Sequence, residues 1–470
     1  MAKYKNACLA LLIAAALGAC KVSKDIQTPT DAVPQSFRDV ATADTASIAG
    51  LPWKDFFSDP VLQKLIDTAI VRNYDMRIAV TNIDAAGLLV KQAKWNNVPA
   101  VTLGIGASTT NPSDNSLSGL TAGQFLGTNH LEDFSVGLNL TWEADVWGKI
   151  RNQNKLAVSQ YLQSIEARKA IQTSLVANVA NGYYNLLMLD EHLAVAEKNR
   201  ALSDSTLRMI RLQFENGQVS SLAVQQADAQ LKAVQQLIPQ LEQYIAVQEN
   251  ALRVLAGEFP AKITRTASLA EIEVSRNVAA GLPVSLLNRR PDVRQEELGL
   301  VAANANVGVN KAQLYPALRI SAGAGLNSLK ASDWFNMPAS LFGMVAGSVT
   351  QPLLQRRELK TRYEIALAER EKSVLQFRKA VLVAVGEVSD AMVKIEKLRA
   401  SQAFADSRAA TLRQAVSNAS LLFNNGSASY LEVITAQGNA LQSELDVAML
   451  KRQQLSALSD LYRSLGGGWK

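Results

Sequence analysis

The chain has 470 residues, 48% of them hydrophobic, and a formal charge of +6 from 48 basic and 42 acidic side chains. Setting Lys3 and Lys5 aside as part of a leader leaves 46 basic against 42 acidic groups, and no basic stripe with interleaved aromatics, which excludes a nucleic-acid binder. Both cysteines, Cys8 and Cys20, fall in the first twenty residues, so there is no disulfide framework. No run of eighteen apolar residues follows the leader, so any membrane crossing falls to strands.

Lys3 and Lys5 precede an apolar run from Ala7 to Leu17 and then Gly18-Ala19-Cys20, which reads as a signal peptide over residues 1–19. Leu17-Gly-Ala-Cys20 is similar to the bacterial lipobox, in which the cysteine becomes the palmitate-bearing first residue of the mature protein. Ordinary secretion with an incidental Cys20 is the alternative. Lys21 in place of an aspartate favours, by resemblance to other lipoproteins, sorting to the outer membrane. Residues 20–60 then form a lipid-anchored tether, rich in Thr, Ala, Asp and Pro up to residue 50.

Asp59-Pro60 opens the first helical stretch, the aspartate as cap and the proline in the first turn. Helical periodicity runs from Val61 to about Trp95, and Pro99 ends it. Two alternating runs follow. Val101, Leu103, Ile105 and Ala107 alternate with Thr102, Gly104, Gly106 and Ser108. Phe134, Val136, Leu138, Leu140 and Trp142 alternate with Ser135, Gly137, Asn139 and Thr141. One apolar and one small or polar face is the pattern of a membrane β-barrel strand. A half-buried strand of a soluble sheet alternates in the same way, but the lipobox and the polar loop at 111–130 favour the barrel. From Lys149 to Phe214 the pattern is helical for 66 residues without a proline, roughly 100 Å at 1.5 Å per residue. The return helix from Leu222 to Leu255 has 34 residues, and the 35-residue stretch 61–95 laid end to end with it makes up the difference.

The turn between these helices occurs twice. Phe214-Glu-Asn-Gly217-Gln-Val219-Ser-Ser221-Leu222-Ala-Val224 returns 209 residues later as Phe423-Asn-Asn-Gly426-Ser-Ala428-Ser429-Tyr430-Leu431-Glu432-Val433. Each glycine can take the left-handed conformation that closes a helix, and the serines after it can cap the next one. Each copy is therefore the tip of a long helical hairpin, and the chain is one duplicated unit. The first repeat covers 61–255, a linker of broken periodicity covers 256–290, the second repeat covers 291–465, and 466–470 is a tail. The second repeat has the same parts: a helix at 292–314, strands near 317–327 and 340–350, a long helix at 356–423 and a return helix at 429–464. Four strands are too few to close a barrel, so the chain must oligomerise, and two, three or four copies are all open.

Arg290-Pro291-Asp292-Val293 reads as a helix start. Together with Ala302-Ala-Asn-Ala-Asn-Val-Gly308, Tyr315-Pro316-Ala-Leu318 and the terminal Leu465-Gly-Gly-Gly-Trp469, it resembles the TolC-like outer-membrane efflux family in its NodT-type lipoprotein branch. The resemblance covers nearly the whole chain from about residue 50. It implies a mainly α fold with a membrane β-barrel portion, closing in a homotrimer as a twelve-stranded barrel on a long α-helical barrel. It also implies partners: a periplasmic membrane-fusion adaptor, an inner-membrane pump of the RND type, and outer-membrane lipid. The chain would be the passive exit duct of a tripartite efflux system for drugs, small molecules or metal ions. The outer component of a type I secretion system is one alternative, and a non-conducting periplasmic coiled-coil lipoprotein scaffold is another.

No catalytic, cofactor or metal site is expected. His130 and His192 lie in no cluster with ligand spacing, no glycine loop cradles a phosphate, and the eight methionines are scattered. Glu432 forms a capping box with Ser429, which accounts for it structurally. The resemblance gives it a second role, since family carboxylates just after this tip line the constricted periplasmic entrance. Three copies of Glu432 would then make a cation-favouring ring. By the same resemblance Leu431 is an apolar constriction, and Thr435 stands where the family usually has a second aspartate. Asp228 could add to the ring or lie on a solvated face. Gly217, Val219, Ser221, Gly426, Ala428 and Ser429 are the expected adaptor-docking tips, with helix-turn chemistry as the simpler account of the same residues.

Overall fold

Asp59 begins the first long helix by accepting hydrogen bonds from the backbone N–H groups of Val61 at 2.7 Å and Leu62 at 3.0 Å. The computed structural model describes residues 37, 47–122, 124, 127–273, 281 and 283–470. The expected signal peptide and the expected lipid site at Cys20 lie outside the described residues. In chain order the main elements are α1 (Pro60–Arg72), α2 (Tyr74–Trp95), β1 (Ala100–Thr110), β2 (Leu131–Ala144), α3 (Lys149–Glu215) and α4 (Ser221–Leu255). They are followed by α5 (Pro291–Ala312), β3 (Ala317–Ser328), β4 (Leu341–Thr350), α6 (Glu358–Asn424) and α7 (Tyr430–Ser464). The duplication is kept in length: α2 and α5 have 22 residues each, α3 and α6 have 67, and α4 and α7 have 35.

The expected single helix over 61–95 is broken at Asn73, and the reason is tertiary. Asn73 is extended, and its side-chain oxygen accepts from Met76 N at 3.1 Å, capping α2. Its Nδ2 donates to the carbonyl of Leu255 at 3.0 Å, so the last turn of α4 abuts the break. The expected 35-residue partner of α4 is thus two helices, α1 of 13 residues and α2 of 22, with the end of α4 at the break between them. The second repeat makes the same joint, where Arg290 donates to the carbonyl of Ser464 at 3.0 Å.

Four helix ends share one solution. Gly217, Gly257, Gly426 and Gly466 all have φ between +69° and +87°. Behind each, two backbone N–H groups reach back to the last carbonyls. Gly217 donates to Phe214 and Gln218 to Gln213, while Gly426 donates to Phe423 and Ser427 to Leu422. Gly257 and Gly466 repeat the pattern with Glu258 and Gly467. This is a Schellman cap, which satisfies carbonyls that would otherwise lack donors. At the two joints the glycine is also required by space, since a Cβ on Gly257 would overlap the Arg72 carbonyl and one on Gly466 would lie 2.6 Å from that of Arg289. The tips are open by comparison, with nothing within 4 Å of a Cβ on Gly217 or Gly426.

The chain divides into two compact units. One, of Asp84–Leu162 and Glu297–Gln376, holds the sheet and the helix ends that enter it. The other comprises the described residues up to Ile83 with Gln163–Glu296 and Phe377–Lys470. Its main core gathers Trp53 and Phe57 against Tyr183, Leu186 and Leu187, so the last residues of the expected tether are packed. Phe56 stacks on Tyr462 with ring centroids 4.2 Å apart. Burial first, and then its bond to Asp59 at 2.9 Å, raises the Tyr183 phenol well above its ordinary range, so it is a neutral donor. Linker residue Arg265 is clamped by Asp190 at 2.6 Å and by the buried Glu249, which fixes the linker to α3 and α4. Buried Arg290 pairs with Asp292 at 2.5 Å and Glu387 at 2.7 Å.

Substituting Gly257 by Ala is expected to destabilise the protein clearly more than Gly217→Ala. The tip change costs about 1 kcal/mol of left-handed strain, and the joint adds a steric overlap. Thermal melts of the helical circular dichroism check this, and equal losses would count against the joint. Burial pushes the Asp292 carboxyl up, but the hydrogen bonds and charge of Arg290 outweigh it and hold the carboxyl below the ordinary aspartate range. A depressed folded pKa gives stability that is complete above the unfolded value of about 3.9 and lost as the pH falls through the folded one. Asp292→Asn should therefore be less stable than the parent at neutral pH, with the gap closing below about pH 4.

Candidate functional site

The four strands form one antiparallel sheet in the order β1-β2-β3-β4. Its register sorts the side chains by face. Val101 lies opposite Leu140, Leu103 opposite Leu138 and Ile105 opposite Val136. Leu138 meets Ala324, Val136 meets Leu326, and Ala322 meets Val345. One face is therefore apolar across all four strands. The other pairs Thr102 with Asn139, Asn139 with Gly323 and Ser321 with Ala346, and is small or polar. Phe342 and Met344 are exceptions on the polar face: Phe342 covers the gap left by Gly137, and Met344 lies opposite Gly323.

Both edge strands, β1 and β4, are exposed along their whole length. Leu103, Ile105, Val345 and Val349 project from them without cover. Aromatic side chains stand at both ends of the apolar face. Phe134, Trp334 and Phe335 cluster at the loop end. At the helix end Trp142 donates to the carbonyl of Asn97 at 3.0 Å, and Trp147 stacks on Tyr315 and donates to the carbonyl of Pro316 at 2.7 Å. The eight steps from Phe134 to Trp142 span roughly 26 Å of strand, close to the roughly 25 Å apolar band of a transmembrane barrel. Among the described residues no helix is long and apolar enough to cross a membrane.

The two tips lie in the other unit. Gly217 and Gly426 occupy the left-handed cap position, Val219 and Ala428 pack on a small apolar cluster, and Ser221 and Ser429 are exposed. Ser220 takes the cap position of α4, leaving Ser221 as its first helical residue. Glu432 accepts the backbone N–H of Ser429 at 2.9 Å, its half of a capping box. Leu431, Glu432 and Thr435 share the exposed side of α7, while Val433 and Gln437 face inward. Gln437 bonds Thr206 at 2.9 Å. Asp228 is engaged elsewhere: a hydrogen bond from Lys232 at 2.6 Å and Arg211 at 3.7 Å hold its carboxyl below the usual range.

Two features escaped the sequence reading. The duplicated tip phenylalanines are unequal: Phe423 is 5% exposed in the tip cluster and Phe214 is 45% exposed. At the corner between β4 and α6, Arg356 and Arg357 have φ of +47° and +65°. Gly148 holds the matching corner of the first repeat at φ +75°, so aligning Gly148 with Arg357 at the 209-residue offset would have exposed the anomaly. His192 hydrogen-bonds the carbonyl of Leu445 at 3.0 Å, and no cluster of three or more His, Cys, Asp or Glu forms among the described residues.

The model of the outer membrane efflux protein family matches residues 65–258 and 282–467. The chain is 28% identical over 472 residues to the cation efflux system protein CusC of Escherichia coli O6:H1, covering 98% of each. It is 29% identical over 465 residues to the probable efflux pump outer membrane protein TtgC of Pseudomonas putida, covering 96% of this chain and 93% of that one. Crystal structures of CusC, described for folding and transmembrane channel formation, superpose with a TM-score of 0.84 at 25% identity over 96% of this chain and all of that one. The outer-membrane channel OprN shares the fold with a TM-score of 0.86 at 24% identity over 96% of this chain and all of that one.

The faces of the sheet give a direct test. Val345→Arg, on the apolar face, should cost about 2–4 kcal/mol of folding into bilayers, while Ser348→Arg on the other face should be tolerated. Folding yield into vesicles distinguishes them, and equal yields would contradict the assignment of faces.

Proposed function

This chain belongs to the outer membrane efflux protein family, and on that premise we propose that three copies close their sheets into a twelve-stranded barrel that serves as the exit duct of a tripartite efflux system. One observation carries the reading: a four-stranded sheet with a continuous apolar face and two unpaired edges. Hydrocarbon offers no partner to a free strand edge, so such a sheet is viable in a membrane only when copies pair β4 to β1. A periplasmic scaffold would have no use for this face, which disfavours that alternative. Transport is diffusive and the chain does no catalysis; an inner-membrane pump of the RND type supplies the energy. Cys20 carries the lipid anchor.

The tips at Gly217 and Gly426, with Val219, Ser221, Ala428 and Ser429, dock the periplasmic adaptor. Exposed Leu431, Glu432 and Thr435 line the entrance, where three Glu432 carboxylates favour cations. Cations are accordingly a cargo class, as they are for the similar cation efflux system protein CusC, with small organic molecules as the other.

Electron microscopy of the detergent-extracted protein should show hollow three-fold particles, and a monomer or a solid rod would sink the reading. Glu432→Gln separates the two roles of that side chain, because glutamine can still accept the cap bond. In planar bilayers it should lower cation preference at unchanged melting temperature. Unaltered selectivity would leave Glu432 as a cap alone.

A further inference from the structure

The duplication specifies what a second copy meets at the sheet edge, and there the charges do not balance. Inside the chain, β2 of the first repeat pairs with β3 of the second, with Thr141 opposite Ser321. β4 corresponds to β2 at the offset of 209, and β1 corresponds to β3 at an offset of 217, which aligns Pro316 with Pro99. Carrying the pairing over sets Thr350 opposite Gly104 of the next copy and Val349 opposite Ile105. Both of the latter stay on the apolar face, which supports the transfer. Continued past the strand, the register sets Leu353 and Leu354 level with Val101 and Ala100 of the next copy. Arg356 and Arg357 come level with Val98 and Asn97.

Within the chain the equivalent corner is neutralised. Asp145 caps α3 through Ile150 N at 2.8 Å and binds Arg151 at 3.2 Å, and Glu143 binds Lys149 at 2.9 Å. At the second corner the same positions are Leu354 for Asp145 and Pro352 for Glu143, while Trp147 and Gly148 become Arg356 and Arg357. Glu358 stands in the place of Lys149, so the charge of this corner rises from zero over 143–151 to +2 over 352–360. Glu358 and Glu364 remain nearby but are engaged by Arg362 and Arg357. The facing stretch of the next copy, 91–100, adds Lys91 and Lys94 and has no carboxylate. Beside this charge Leu353 is 85% and Leu354 96% exposed, and Trp95 is also uncovered. Both arginines hold a left-handed backbone that glycine takes without strain. Strain kept by a side chain of this kind points to a use for that side chain.

We propose that this corner and the 91–100 stretch of the next copy bind an anionic phospholipid of the periplasm-side leaflet, its phosphate held by Arg356, Arg357 and the lysines and its chains lying on Leu353, Leu354 and Trp95. The site rests on the ring closure proposed above. Guanidinium groups suit phosphate oxygens in charge and geometry, and Leu353, Leu354 and Trp95 leave apolar surface exposed beside them. A bare contact between copies would instead bring cations against cations.

The test uses the full-length protein in detergent micelles doped with phosphatidylglycerol or, as a neutral control, phosphatidylcholine, with retained lipid counted by native mass spectrometry. The parent should keep phosphatidylglycerol selectively. In the double variant Arg356→Gly/Arg357→Gly that retention should fall roughly thirtyfold, the loss expected for two arginines near a lipid surface. Its melting temperature in lipid-free detergent should hold or rise, since glycine relieves the backbone. Unchanged retention of phosphatidylglycerol overturns the site. So does dissociation of the variant into monomers in lipid-free detergent, which would make the corner a protein–protein contact. If the parent itself shows no three-fold assembly, it is the channel reading that fails.

Discussion

Backbone hydrogen bonding in hydrocarbon is the constraint on which the rest of this protein depends. A free strand edge in lipid leaves N–H and C=O groups that water cannot satisfy, at several kcal/mol each. The sheet described here has two such edges and one face that is apolar from Val101 and Trp142 to Ala107 and Phe134. Its sequence therefore commits it both to a membrane and to other copies of itself. The duplication is kept alongside this commitment, in the equal lengths of α3 and α6 and of α4 and α7.

Glycine in the left-handed region does the second structural task. At two positions it ends a helix at an open tip, and at two others it ends a helix against the broken start of another. The tips need only the backbone conformation, whereas the joints need the missing Cβ as well. Asn73 and Arg290 complete the joints with donors to the carbonyls of Leu255 and Ser464. Different residues thus satisfy the same orphan groups in the two repeats.

What was legible in the sequence was what is local. Alternation over Val101–Ala107 and Phe134–Trp142 is a period-two signal that owes nothing to distant residues, and the strands stand where it puts them. The tips were legible because Gly217 and Gly426 carry their turn chemistry with them. The break at Asn73 was not, because its cause is a carbonyl 182 residues away, inside a stretch whose apolar spacing stays helical. Nor could Ser220 and Ser221 be told apart as caps, since both suit the role. The left-handed arginines were hidden for a further reason: an arginine carries no signal of backbone conformation, and only its glycine counterpart betrays it. For the candidate site, Glu432 was readable as a cap and is one, while the entrance role proposed for it rests on the family resemblance alone.

The unequal burial of Phe214 and Phe423 has a consequence for how such a gene can change. At the moment of duplication both phenylalanines met identical surroundings, and any substitution at one would have been as tolerable as at the other. Burial of Phe423 now ties its fate to Leu207, Ile210 and Ala227, while the exposed Phe214 answers to whatever lies outside the chain. The halves have therefore lost interchangeability. The two halves are thus no longer equivalent at their tips, even though the symmetry of the duplication is still written in the lengths of the helices.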